Sequence, residues 1–390
     1  MNVQTNKQTN KQTNKQTNKP ISSNSNVKKK IVFFVSNLSD FGGLETVFST
    51  LIENLYKRYD LYVLTKSKFP VRFLNLFNKL NIKYLSCNST KFRGYNILSI
   101  LYQYWIKRPF IIPHKIRKIN PDIIIDYKNG YCSYFSKRLK EYHQIMFEHG
   151  YGDVPKISLY DKVVLLTKAH RNEFIELYPK YKDKFFQIYN PIDKDNILKL
   201  SNEKIPEKFK NCFISVSRLD KGKDIKTLID AYESFVKNTK SKTKLLIIGD
   251  GKDRESLENY VLTKSSKKQI IFIGKKSNPF AYMKNAKALI LSTKSEALGM
   301  VLIENLICSN GVTVSSDCKY GPSEILLDGK CGCLFQIGDK EKLAKILTDI
   351  DCGKITRKQF EKNIQKSLKR FEGEIVSKQI EKLIEEQKDG

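Results

Sequence analysis

An α/β chain with two parallel-sheet halves is predicted by three observations. Short apolar runs without polar alternation recur along the sequence, as in strands buried on both faces of a parallel sheet. Each is followed by a small-residue loop and a helical pattern, the signature of βα units. The pattern halts at Tyr189-Asn190-Pro191 and then restarts, and 390 residues with 40% hydrophobic content suit two domains, or three at most. Such alternation builds sheets of Rossmann type, whose ligands sit at the carboxyl ends of the strands.

The chain opens on a polar tract. Gln-Thr-Asn-Lys occurs four times in succession from Gln4 to Lys19. Residues 1–26 cannot bury enough apolar surface to order themselves, and without an apolar core they are not a signal peptide. The codons CAA-ACA-AAC-AAA also make a run of the tetranucleotide CAAA. Gain or loss of one unit shifts the frame, and the next methionine is Met146. This predicts phase-variable expression; a repeat number that never varies among colonies would leave only a solubilising tail.

Ile31–Ser36 reads as the first strand, Asn37–Gly43 as a loop and Leu44–Arg58 as a helix. Gly42-Gly43 lets backbone N–H groups approach an anion closely, although the pair equally serves a tight turn. Strands follow at Leu61–Thr65, Ile123–Asp126, Gln144–Phe147 and Val163–Leu166. His149 comes directly after one of them, where ligands bind; His114, His143 and His170 lack that placement. Asn190-Pro191 ends the first half.

In the second half, strand Cys212–Val216 leads into loop Ser217–Asp224 and helix Ile225–Val236. Arg218 and Lys223, five apart around Gly222, can clamp a diphosphate from two sides, with Lys221 competing for the second role. Lys244–Ile248 precedes the turn Gly249-Asp250-Gly251, and Ile270–Ile273 precedes Gly274-Lys275. Lys287–Leu291 is a buried strand, Gly299 a turn and Met300–Ser309 a helix. Glu296 lies before that helix and Glu304 about two turns inside it. Beside a helix N-terminus that attracts an anion, carboxylates can accept hydrogen bonds from sugar hydroxyls. Val312–Ser315 is a further strand, and helical patterns fill Lys340–Ile350 and Lys358–Gln387.

Charge narrows the partners. Seventy Lys and Arg against 41 Asp and Glu give +29, and Leu61–Pro121 contains no acidic residue. That stretch interleaves Lys66, Arg72, Lys79, Arg93, Lys107, Arg108, Arg117 and Lys118 with Phe69, Phe73, Phe77, Tyr102, Tyr104 and Trp105. Basic and aromatic residues together suit an anionic bilayer surface, and also a polyanion such as nucleic acid. A genome rich in A and T is the bland source of the same lysines. The apolar run Ile97–Ile106 is too short to span a bilayer. Eight scattered cysteines after no secretory signal read as reduced thiols, and Cys331-x-Cys333 lacks a second pair at zinc spacing.

Taken in order, Phe41-Gly42-Gly43-Leu44, Glu148-His149-Gly150, Asn190-Pro191-Ile192-Asp193, Arg218-x4-Lys223 and Glu296-x7-Glu304 resemble the motifs of retaining glycosyltransferases of family 4. The resemblance runs from about Ile31 to Phe371. It implies a GT-B fold: an acceptor-side domain over residues 27–190, a nucleotide-sugar domain over 191–372, a cleft between them, and a C-terminal helix (373–390) packing toward the first domain. It implies a UDP-sugar donor carrying a hexose or N-acetylhexosamine. Gly42 and Gly43 would contact its diphosphate, and Arg218 and Lys223 would stabilise the diphosphate as it leaves. Gly249 and Lys275 would hold the base. Glu296, with Leu298, Gly299 and Met300, would surround the sugar, Glu304 would bind the ribose, and His149 would position the donor sugar. No metal or cofactor is expected.

Gly321-Pro322-Ser323-Glu324 is similar to a variant among transferases that build lipopolysaccharide and lipid-linked oligosaccharides. The implied acceptor is such a saccharide at the cytoplasmic face of a bacterial inner membrane, with the protein peripheral on an anionic surface and no nucleic-acid partner. Two departures stand out. Glu296-Ala297-Leu298-Gly299 replaces the usual Glu-Gly-Phe-Gly, and Ser309-Asn310-Gly311 replaces Ala-Cys-Gly. Two other readings stay open: a related nucleotide-sugar epimerase, which needs no acceptor, and a basic nucleic-acid-binding protein.

Overall fold

The computed structural model describes residues 28–35, 37–39, 42–65, 67–86, 110–127, 137–150 and 157–386. The Gln-Thr-Asn-Lys tract, the run Ile97–Ile106, and Tyr102, Tyr104 and Trp105 lie outside these residues.

The first half is a seven-stranded, all-parallel sheet in the order β3-β2-β1-β4-β5-β6-β7. Its strands are β1 (Lys30–Val35), β2 (Asp60–Thr65), β3 (Lys83–Ser86), β4 (Ile123–Asp126), β5 (His143–Glu148), β6 (Lys162–Leu165) and β7 (Phe185–Gln187). The helices between them are α1 (Gly43–Leu55), α2 (Val71–Leu80), α3 (Ile112–Ile119) and α4 (Lys168–Leu177). Ile31, Val32, Phe33 and Phe34 are all fully buried, because helices cover both faces of the sheet.

The second half repeats the design with a six-stranded parallel sheet, β10-β9-β8-β11-β12-β13. Its strands are β8 (Phe213–Val216), β9 (Leu245–Ile248), β10 (Ile270–Gly274), β11 (Ala288–Leu291), β12 (Val312–Ser316) and β13 (Cys333–Phe335). The helices are α5 (Lys194–Ser201), α6 (Ile225–Thr239), α7 (Arg254–Leu262), α8 (Phe280–Lys284), α9 (Met300–Cys308), α10 (Gly321–Ile325), α11 (Lys340–Asp351), α12 (Glu361–Leu368) and α13 (Gly373–Glu385). Chain order reverses between β1 and β4 in one sheet and between β8 and β11 in the other. A crevice opens at each such point, outside the strands' carboxyl ends.

The expected single helix Lys358–Gln387 is broken. A 3-10 turn over Arg357–Phe360 leads into α12, a second over Lys369–Phe371 follows, and Glu372 is extended (φ −58°, ψ 131°) before α13 begins. A tertiary contact overrides the helical pattern there. Ile192 N–H donates to the Phe371 carbonyl at 3.2 Å, and the buried Phe371 ring meets Tyr189 at 4.7 Å. Beyond the break α13 lies against α1. Arg58 pairs with Glu381, Lys29 pairs with Glu385, and the Tyr59 hydroxyl donates to Glu385 at 3.0 Å.

The aromatic residues of the acid-free stretch divide. Phe73 and Phe77 are fully buried core residues of α2, and Phe69 packs edge-on to Phe77. Exposed on the same half are Val71, Phe110, Arg117 and Lys118. No helix among the described residues is long and apolar enough to cross a membrane.

Candidate active site

A cleft of about 730 Å³ lies between the two halves. Gly42 and Gly43 line it from the first half, and Arg218, Lys223, Gly249, Lys275, Glu296, Gly299 and Met300 from the second. Sequence reasoning named all nine. Lys276 and Val301 also line it and were not singled out. Arg218, Lys223, Lys275 and Lys276 outweigh Glu296 and Asp250, so the cleft is net cationic.

Two helix N-termini open toward this space, and their first N–H groups have no intrahelical acceptor. One is α1, which starts at Gly43. No heavy atom lies within 4 Å of where a Cβ on Gly43 would stand, so its backbone is open to a ligand. Gly42 is crowded instead: a Cβ would meet the Glu45 carboxylate at 2.2 Å. Glu45 folds back over the loop and accepts hydrogen bonds from the N–H and hydroxyl of Ser39 at 3.2 and 3.0 Å. The second is α9, entered through Gly299 in the left-handed region (φ 92°, ψ 55°), which glycine adopts without strain.

Two loops are stitched together beneath the cleft. The Gly222 carbonyl accepts from Lys294 N–H at 2.8 Å and from the Thr293 hydroxyl at 3.2 Å. The Lys223 carbonyl accepts from the Ser292 hydroxyl at 3.1 Å. These bonds bring the Lys223 ammonium onto the Glu296 carboxylate, and each side chain is only 15% exposed. A partly buried charge without a partner is costly, so the pair keeps both ionised groups in place. Arg218 is different: its side chain is 80% exposed and reaches Asp220 at 3.4 Å. Lys221, the sequence competitor of Lys223, lines a neighbouring hollow with Asp220 and Lys252 instead of this cleft.

Three expected site residues do not line the cleft. Leu298 is buried, with its carbonyl against Gly321, where a Cβ would come within 1.7 Å. His149 stands at the end of β5, tilted against Tyr127 with ring centres 4.6 Å apart. Glu304 sits just over one turn into α9, not two, since it lies only four residues past Met300, where the helix starts as expected. At helical spacing it lies on the same face as the cleft residues Met300 and Val301. Part of its surface stays open, yet the protein packed around it excludes enough water to push its carboxyl up to about 7. Burial, reinforced by the Asp126 charge, also pushes Glu148 up to about 7, and a hydrogen bond from Gly150 N–H opposes that rise. Among the described residues no group of three or more His, Cys, Asp or Glu could hold a metal ion.

Comparison with known proteins bears on the family and the fold. Residues 198–367 match the family described as "Glycosyl transferases group 1". The chain is 30% identical over 188 residues to an N-acetylgalactosaminyltransferase of Campylobacter jejuni that acts on a diphospho-undecaprenol-linked saccharide; the match covers 47% of this chain and 50% of that protein. The chain thus spans half the length of that curated relative. It is 25% identical over 346 residues to the lipopolysaccharide 1,6-galactosyltransferase of Salmonella typhimurium, covering 84% of this chain and 90% of the relative. Among solved structures, the apo form of the lipopolysaccharide outer core galactosyltransferase WaaB superposes with TM-score 0.72 at 22% identity, covering 91% of this chain and 99% of that one. Anabaena HepE in complex with UDP and glucose superposes with TM-score 0.70 at 16% identity, covering 91% and 99%. The fold is therefore GT-B, and the match to the group 1 glycosyltransferase family lies in the second half.

Proposed function

We propose that this chain, a GT-B protein with a group 1 glycosyltransferase domain, moves a hexose or N-acetylhexosamine from a UDP-sugar onto a lipopolysaccharide core or lipid-linked saccharide, with retention at the anomeric carbon. The observation that carries this reading is the cationic cleft at the two crevices, where Lys223, Arg218 and the N-termini of α1 and α9 face one volume.

The chemistry follows from charge. Breaking the bond between the anomeric carbon and the diphosphate oxygen leaves negative charge on the diphosphate and positive character on the sugar. Lys223, Arg218 and the Gly43 backbone would stabilise the first. A diphosphate outbids a single carboxylate for Lys223. Its arrival would release Glu296 from the ion pair to accept hydrogen bonds from sugar hydroxyls. The acceptor oxygen would approach from the face the diphosphate leaves, form the new bond to the anomeric carbon and give its proton to the departing diphosphate oxygen, which gives retention. His149, at the carboxyl end of β5, would approach the sugar from the first half, and Lys275 and Gly249 would border the base.

Glu304, read as the ribose ligand, makes donor binding pH-dependent. Ribose hydroxyls donate to its carboxylate and favour the charged form, so the bound group titrates below its free value of about 7. UDP affinity should therefore rise with pH up to about 7 and level off above it. Calorimetry from pH 5.5 to 8.5 measures this, and in Glu304→Gln only the titration of the ligand's own phosphate should remain, near about pH 6. Equal slopes in the two proteins would remove Glu304 from the ribose site.

We also infer a peripheral seat on an anionic membrane. The acid-free stretch presents Arg117, Lys118 and Phe110 outward, and each basic residue near such a surface contributes about 1 kcal/mol. The protein should co-sediment with phosphatidylglycerol-containing vesicles at low salt, come off in high salt, and ignore neutral vesicles. Binding that is indifferent to lipid charge would contradict this seat.

Product analysis with and without a lipid-linked acceptor tests the reaction. Sugar transfer to the acceptor is expected. A rearranged nucleotide sugar formed without acceptor would favour the epimerase reading, and a salt-dependent gel shift would favour a nucleic-acid binder, which leaves the five ordered motifs unexplained.

A further inference from the structure

The two halves meet a second time, away from the cleft, where helix α4 faces the segment before α10. The His170 ring, buried on the first turn of α4, stacks flat on Tyr320 of the other half, with centres 4.5 Å apart and planes 11° apart. One turn further along α4, the Glu173 carboxylate accepts the Tyr320 hydroxyl and lies 3.0 Å from the Lys319 ammonium. The N-terminus of α4 is met by a third group from the second half. Glu324 accepts the Lys168 N–H at 2.9 Å, satisfying a helix donor that has no partner within its own helix. The same carboxylate accepts the Tyr189 hydroxyl from the linker. Glu324 closes the Gly-Pro-Ser-Glu motif, for which the donor cleft has no use.

This contact reaches the donor site through the backbone. Glu296 N–H donates to the Lys319 carbonyl at 2.8 Å, and Tyr320 N–H donates to the Glu296 carbonyl at 2.8 Å. Glu296 in turn holds Lys223. A continuous path of bonded groups therefore runs from α4 of the first half, through Tyr320, to the ion pair in the cleft. His170 is held at about 4 by burial, so its ring stays neutral on Tyr320 at physiological pH.

We propose that Tyr320 is a positioning residue: gripped by Glu173 and His170 when the halves close, it sets Glu296 for the sugar through the paired Glu296–Tyr320 backbone. This rests on the donor-cleft reading above. The grip lets Glu296 reach its working position only in the closed arrangement, where the first half can bring an acceptor. A misplacement near one ångström at a reacting site lowers rates by up to about a hundredfold.

Tyr320→Phe keeps the stacked ring and removes only the hydroxyl. It should lower kcat about tenfold or more while the Kd for UDP alone stays within about twofold, because the diphosphate subsite lies mainly on the second half. Glu173→Gln retains an acceptor for the hydroxyl and should keep kcat within about threefold of wild type. Glu173→Ala should match Tyr320→Phe, and the double variant should fall no further than either single one. Wild-type kcat in Tyr320→Phe, or losses that multiply in the double variant, would overturn the proposal. A purely structural contact would lower the unfolding temperature and leave kcat per folded molecule unchanged. If the wild type itself neither binds UDP nor transfers sugar, the functional reading fails, and the clasp is then judged by small-angle X-ray scattering. The Tyr320→Phe/Glu324→Ala protein should show a larger radius of gyration than wild type, and an unchanged radius would sink the clasp too.

Discussion

Lys223→Ala should lower kcat by about two orders of magnitude or more, the scale seen when one preorganised charge-stabilising donor is removed. Lys223 sits mostly shielded from water, so its charge acts on the leaving diphosphate with little screening. Arg218 is mostly exposed in the absence of donor, and Arg218→Ala should lose less, about tenfold, with a loss that depends on ionic strength. Steady-state rates with a saturating UDP-sugar measure both. Thermal unfolding of the same samples separates lost chemistry from lost fold, since Lys223→Ala also takes its ammonium away from Glu296. Near-normal turnover in Lys223→Ala would refute the assignment of this loop to the diphosphate.

Gly249→Ala should be nearly as damaging, for a different reason. Gly249 has φ 148°, and a Cβ there would stand 1.8 Å from the Ser217 carbonyl oxygen. Ser217 opens the loop that carries Arg218 and Lys223, and backbone on both sides leaves no flexible side chain to give way. The β9 turn and the β8 loop must therefore separate. Overpacking and backbone strain together should cost about 2–4 kcal/mol of stability. The separation should also weaken UDP binding, because both loops line the cleft. Urea unfolding and UDP titration of the variant measure the two effects. An alanine protein with unchanged midpoint and affinity would show that the loops do not need this approach.

What the sequence made legible was whatever depends on local pattern. Apolar runs such as Ile123–Asp126 and Ala288–Leu291 stand out because parallel strands are buried on both faces. The edge strand β3 (Lys83–Ser86) carries mixed residues, and the edge strand β13 (Cys333–Phe335), at three residues, is too short to give such a signal. The Lys223–Glu296 pair was within reach as two separate motifs and not as a contact. It depends on β11 lying beside β8, after the chain has built β9 and β10 on the far side. Lys221 competes with Lys223 in the sequence, and only the Arg218-x4-Lys223 resemblance favours the latter; the 3-10 turn Lys221–Lys223 aims one outward and one at Glu296. The same limit applies to Phe73 and Phe77. Their spacing beside arginine and lysine fits a membrane-facing stripe, and the packing against Phe48 and Tyr84 makes them core. The α4–Tyr320 clasp had no local signature, since its stacked rings and carboxylate come from different sheets.

One cationic cleft between the halves should hold a nucleoside diphosphate, and titration of UDP into the full chain checks this. Measurable heat with one site per chain is expected, with UMP binding far more weakly than UDP and strong attenuation in Lys223→Ala. No heat with UDP, or equal affinity for UMP and UDP, would contradict it.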